Sequence, residues 1–112
     1  MSIEEEVFKK AKIDFNKLKE YGFKLVNNNY VFEGNINFDF KAIISIDLKG
    51  NISGKVIDIE TNLEYSNIRL NNPGSYALKI KNEYELLLLD ILNNCGTINP
   101  FIFEQSNRIA KY

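Results

Sequence analysis

The 112-residue chain has no histidine, one cysteine and two arginines. The missing histidine removes Ser-His-Asp and Cys-His nucleophilic catalysis, imidazole acid–base chemistry and every histidine-containing metal site. A lone cysteine, Cys95, permits no internal disulfide, no thiolate zinc site and no iron–sulfur cluster. Neither a G-x-x-x-x-G-K-[ST] loop nor a G-x-G-x-x-G fingerprint occurs. An enzyme built from these residues would have to run on carboxylates, lysine or tyrosine, and the sequence shows none of their arrangements. We therefore expect no catalytic residue, no cofactor and no metal.

Other scarcities bear on partners and location. Apart from Arg69 and Arg108, every basic residue is lysine, and 14 basic residues nearly balance 15 acidic ones. Phosphate recognition favours a local excess of Lys and Arg, and arginine above all for bidentate contacts. Nucleic acid is thus disfavoured as a partner, although a one-sided patch stays open. An AT-rich coding sequence would produce the same Lys, Asn and Ile bias. No apolar run approaches the ~20 residues of a membrane span; Leu86 to Leu89 is the longest obvious cluster. The start, Met1-Ser2-Ile3 followed by three glutamates, is acidic where a signal peptide is basic and then apolar. A cytoplasmic domain without membrane contact is the expectation.

What is present describes one folded unit. At 45% hydrophobic and 26% charged residues, the chain can bury roughly two-thirds of the surface it exposes when unfolded. Ser2 and Glu5 form a capping box before an apolar stripe of Ile3, Val7, Phe8 and Ala11. A second short helix opens at Asp14, with Ile13 placed to staple onto Leu18, and closes at Gly22 so that Phe23 folds back onto Leu18.

From Phe23 the period becomes two. FKLV, Asn27-Asn28-Asn29 and YVFE read as a hairpin, because Asn tolerates the positive φ of tight turns. Phe38, Phe40, Ala42, Ile44, Ile46 and Leu48 alternate with Asp39, Lys41, Ile43, Ser45 and Asp47 and predict the clearest strand. Lys49-Gly50-Asn51 turns the chain into ISGKVIDIE, where Gly54 marks a bulge or a close packing contact. A weaker strand is expected around Leu63 to Leu70. Pro73-Gly74 ends the strands, and a long helix is predicted from Ser75 to Asn94, closed by Gly96. Its stripe is Tyr76, Ala77, Ile80, Tyr84, Leu87, Leu88, Ile91 and Cys95, while Leu86 and Leu89 fall roughly on the opposite side and need a second partner, for which the terminal helix is the nearest candidate.

Asn99-Pro100 opens a last amphipathic helix carrying Ile102, Phe103, Ser106, Ile109 and Ala110 on one side. No capping residue ends it, which leads us to expect the front part of a longer chain. The predicted class is α+β. An antiparallel β-meander of four to five strands is packed by the long helix, with two short N-terminal helices and a terminal helix.

The element order, the stretch VIDIETNLEY (Val56 to Tyr65), the long helix ending in NNC and the closing FEQSNRIAKY together resemble one family. This is the N-terminal domain that precedes the MmcQ/YjbR domain in some two-domain bacterial proteins. There a V-I-D-x-E-T-N-x-E-Y stretch crosses a turn between strands, and a helix with E-Q-[SA]-x-R-[IV] leads to the second domain. The matching positions are Val56 to Tyr65 and Glu104 to Tyr112. The resemblance implies a non-catalytic accessory domain and a second, frataxin-like domain downstream. It supplies no catalytic residue.

Four groups of residues are candidates for a site. Leu86, Leu89, Phe101, Arg108 and Tyr112 would form an interaction surface for the chain's own second domain, a protein partner or another copy. Asp58, Glu60 and Tyr65 would hold a cation or polar ligand if they are not simply an Asx-type turn and a packing aromatic. Lys9, Lys10, Lys12, Lys17 and Lys19 would meet phosphates, diluted by Glu4, Glu5, Glu6 and Glu20. Cys95, near a helix C-terminus, reads as an inert core thiol. The leading expectation is a protein-interaction domain. The alternative is a nucleic-acid- or small-ligand-binding module using the sheet face or the lysine cluster.

Overall fold

Local capping chemistry starts the fold where the sequence predicts it. The computed structural model describes residues 2–9 and 11–98. In α1 (Ile3–Phe8) the Ser2 hydroxyl accepts from the Glu5 amide at 3.1 Å, and the Glu5 carboxylate accepts from the Ser2 amide at 3.3 Å. These bonds to Ser2 hold the Glu5 carboxyl below its ordinary range. In α2 (Phe15–Tyr21) Asp14 caps the amides of Asn16 and Lys17. At its other end Gly22 takes φ +128, and the Phe23 amide donates to the Leu18 carbonyl at 2.9 Å. Leu18 and Phe23 are both buried, the apolar closure of a Schellman turn.

The sheet is a four-stranded antiparallel meander, β2 (Lys24–Val26), β3 (Asn29–Asn35), β4 (Phe40–Asp47) and β5 (Ile52–Asp58), in sequence order. Asn27 and Asn28 both take positive φ, 50 and 65, as a two-residue type I′ hairpin requires. The Asp47 carboxylate organises the next turn by accepting from the amides of Lys49 and Asn51 and from the Asn51 side chain. The Asn51 bonds depress its pKa. One sheet face is the core: Phe40, Ala42, Ile44 and Ile46 are buried, paired in register with Asp58, Val56, Gly54 and Ile52 on β5. On the other face Lys41 bridges to Glu33 at 2.8 Å.

The long helix α3 (Gly74–Cys95) lies with α1 and α2 over that inner face and buries Ala77, Ile80, Tyr84, Leu88, Ile91, Leu92 and Cys95. Asn37 donates to Glu83 at 2.6 Å and Tyr21 donates to Asp90 at 2.7 Å, fixing α3 to the β3–β4 turn and to α2. Burial, then the bond to Asp90, pushes the Tyr21 hydroxyl above the ordinary tyrosine range.

Several expectations need correction. Ala11 does not extend the first helical stripe; it opens β1 (Ala11–Ile13), which pairs antiparallel with β6 (Gly96–Ile98). That pairing joins residues far apart in sequence, which local periodicity cannot report. Gly96 therefore follows α3 in an extended conformation, as the first residue of β6. Phe38 is 98% exposed, outside the strand, because Asn37 caps the amides of Asp39 and Phe40 and delays β4 to Phe40. Leu48 is exposed for the matching reason at the other end, where Asp47 starts the turn. The expected strand from Leu63 to Leu70 is a single bridge, Ile57 to Glu64, followed by a 3-10 turn (Ser66–Arg69). Tyr76 is more than half exposed, and Leu92 replaces it in the core. The predicted terminal helix lies outside the described residues.

Candidate functional site

Two features of α3 stand apart from ordinary packing, one on each side of the helix. On the inner side Tyr84 is completely buried and points at β5. There Gly54 leaves room for it: a methyl group on Gly54 would collide with the Tyr84 hydroxyl. Beside that hydroxyl sits Glu4 of α1, only 1% exposed. Arg69 of the 3-10 turn closes the group. Its Nη2 donates to Glu4 Oε1 at 2.7 Å and to the Gly54 carbonyl at 2.8 Å, and its Nη1 donates to Glu4 Oε2 at 3.3 Å. The bonds to Glu4 raise the Arg69 pKa further. The Tyr84 hydroxyl lies next to both groups without meeting either in hydrogen-bond geometry, and among the described residues it has no partner. Burial, then the Glu4 carboxylate, pushes its pKa up.

Charge-assisted bonds thus tie α1, β5 and the 3-10 turn together, and Tyr84 packs α3 against them. The components of this cluster are fully enclosed or committed to one another, so it offers no group to a substrate. The sequence carried a signal for it that the reading of Glu4 as a surface acid missed. Glu4 and Phe8 are four apart on the inward stripe of α1, and a carboxylate in such a stripe needs a buried cation. Arg69, one of two arginines in a lysine-rich chain, was the residue fitted to a forked, partly buried pair.

On the outer side, Leu86 is 67% exposed, Leu78 46% and Leu89 42%. At 3.6 residues per turn these three fall within an arc of about 80°, opposite the buried stripe. Asn82 and Asn93 share the arc and are exposed. A shallow cleft of about 200 Å³ among Ile3, Glu6, Val7 and Glu85 borders it on the α1 side. Leu86 and Leu89 are the leucines the periodicity set apart, and Leu78 belongs with them by the same geometry. Phe101, Arg108 and Tyr112, expected on the same surface, lie outside the described residues.

The other candidate groups are placed as follows. The Asp58 carboxylate accepts from the amides of Glu60 (2.9 Å) and Thr61 (3.3 Å), and Asn62 takes φ 60, an Asx-type turn. Glu60 is exposed, and Tyr65 packs its ring 4.8 Å from Phe40 and edge-on to Tyr76. Lys9 pairs with Glu6 at 3.5 Å on α1, Lys12 lies on β1, and Lys17 and Lys19 on α2, all exposed; Lys10 lies outside the described residues. Lys9 and Lys12 border two adjoining clefts of about 300 and 270 Å³, beside the β4–β5 turn. Cys95 is fully buried with its Sγ 3.5 Å from the Lys17 carbonyl, and burial, then Asp14, raises its thiol pKa. Among the described residues no group of three acidic or sulfur side chains is arranged to hold a metal ion, and no helix is long and apolar enough to cross a membrane.

In comparisons with known proteins, the chain matches no family model, no curated protein and no solved structure.

Proposed function

We propose that this chain is a non-catalytic interaction domain whose docking surface is the outer face of α3. The observation that carries the reading is the exposed stripe of Leu78, Leu86 and Leu89 on a helix whose opposite side is fully committed to the core. Scattered exposed leucines need no explanation, but three aligned on one rigid helix form a patch that water penalises and a partner would cover. The inner cluster supports the same reading. Tyr84, fully buried against Gly54 and beside Glu4, seats α3 on this cluster, so the outer face is presented on a well-packed helix with little ordering cost on binding. The resemblance to the domain preceding the MmcQ/YjbR domain implies an accessory domain with no catalytic residue, which is compatible with a docking role.

The test uses a cysteine at position 89. Cys95 is buried, so in the Leu89→Cys variant only the new thiol should react quickly with a maleimide. Labelling is expected to be fast in the dilute purified chain and slowed at least about tenfold in the host cell, where the partner is present. Equal rates in both settings would sink the docking reading. So would slow labelling in the dilute chain, which would mean the face is already covered from within.

A further inference from the structure

The reading of α3 as a docking surface leaves its occupant open, and the charges flanking the leucines narrow the choice. Ser75, Leu78, Asn82, Leu86, Leu89 and Asn93 run down the outer face at spacings of three and four. On one flank are Lys81 and Glu85, both half-exposed; on the other are Lys79 and Asp90, both exposed. Each flank therefore carries a basic residue towards the N-terminal half and an acidic residue towards the C-terminal half. When such a face meets itself antiparallel about a twofold axis, each flank meets its own counterpart with direction reversed. With the axis between Glu83 and Tyr84, Leu78 lies opposite the second copy's Leu89, Lys81 within one position of its Glu85, and Lys79 within two positions of its Asp90. A parallel pairing would instead set like charges side by side.

We infer that the occupant of this face is a second copy of the same chain, its α3 packed antiparallel against the first to form a twofold dimer. The inference rests on the docking reading. The 22-residue helix is about 33 Å long, and its exposed leucines, from Leu78 to Leu89, reach about one and a half turns to each side of the axis. Leucine packing supplies the attraction, and the four cross-helix ion pairs set direction and exclude other registers. Asn82, close to the axis, places an amide where it can bond across the pair, as a single polar residue does in register-specific helix pairs.

Sedimentation equilibrium of the full chain, from about 5 µM to about 500 µM, is expected to show the mass rising from one chain to two. Leu86→Asp/Leu89→Asp should weaken the association by about 100-fold or more, with circular dichroism confirming that the helix content is kept. Leu86→Gln/Leu89→Gln serves as the milder second variant. Lys81→Glu and Glu85→Lys should each weaken the dimer, and the double swap should restore it. For orientation, Leu78→Cys and Leu89→Cys chains are mixed under oxidising conditions. The antiparallel dimer favours the mixed disulfide, whereas a parallel one would favour the two homodisulfides.

A single-chain mass throughout the range would overturn the inference, as would a dimer indifferent to the leucine variants or a preference for homodisulfides. Failure here is separable from failure of the docking reading. A chain that stays monomeric while its position-89 thiol is protected in cells still docks, on a different partner.

Discussion

Arg69→Met is expected to lower the free energy of unfolding by about 3 kcal/mol at neutral pH, the largest effect of any single charge among the described residues. The reason is the asymmetry of a buried pair. Glu4 is sealed on the inner side of α1, and among the described residues Arg69 supplies every side-chain hydrogen bond its carboxylate receives. Removing one partner of such a pair strands a charge and costs about 3–5 kcal/mol. The lower end applies here because the Arg69 side chain is 31% exposed, so water reaches part of the site once it is truncated. Arg69→Lys should recover only part of the loss. One ammonium cannot reproduce the fork that meets two carboxylate oxygens and the Gly54 carbonyl together. Glu4→Gln/Arg69→Met should recover most of it, since a pair removed whole leaves no unpaired charge. Urea denaturation of the four proteins measures the cycle. A loss in Arg69→Met below about 1 kcal/mol would show that the pair is no more than a surface contact.

Gly54→Ala should cost about 2–3 kcal/mol through overpacking, although an alanine in a strand ordinarily gains a little from unfolded-state entropy. The added methyl collides with the Tyr84 hydroxyl and comes within 3.2 Å of the Ile43 carbonyl. Tyr84 cannot retreat, because it is anchored in the middle of α3 with no free surface. The informative partner is Tyr84→Phe. Its hydroxyl makes no hydrogen bond among the described residues, so its removal alone should change stability by less than about 1 kcal/mol. In the Gly54→Ala background it should restore most of the loss, because it removes the atom the methyl strikes. Thermal unfolding of the two single variants and the double variant reads this directly. Additive losses in the double variant would contradict the placement of Tyr84 against β5.

These two predictions mark where sequence reading stops. The caps at Ser2 and Asp14, the Asn27-Asn28 turn and the alternation of β4 were legible because each is decided by residues a few positions apart. The β1–β6 ladder was not, since its register joins Ala11 to Ile98 and neither segment is apolar enough to announce itself. Phe38 and Leu48 kept the alternation of β4 but lost their places in it to the Asn37 and Asp47 side chains, which end the strand by capping backbone amides. Leu63 to Leu70 failed as a strand for a different reason. The Asx turn at Asp58 leaves only one bridge to β5 before the chain must bend to deliver Arg69 to Glu4. The candidate surface was half legible. Leu86 and Leu89 were set apart by helical period alone, whereas the cluster on which α3 packs through Tyr84 required four segments to meet.

The central claim is that α3 has one face spent on the fold and one face kept for a partner. The direct measurement compares Leu88→Ala with Leu86→Gln/Leu89→Gln by chemical denaturation, at a dilution where the chain is monomeric. Leu88 is fully buried, and its truncation should cost about 2–5 kcal/mol. The outer pair, replaced by a good helix former, should cost less than about 1 kcal/mol together. A loss from the outer pair comparable to that from Leu88 would mean those leucines already serve the monomer's own core, and the docking account would be wrong.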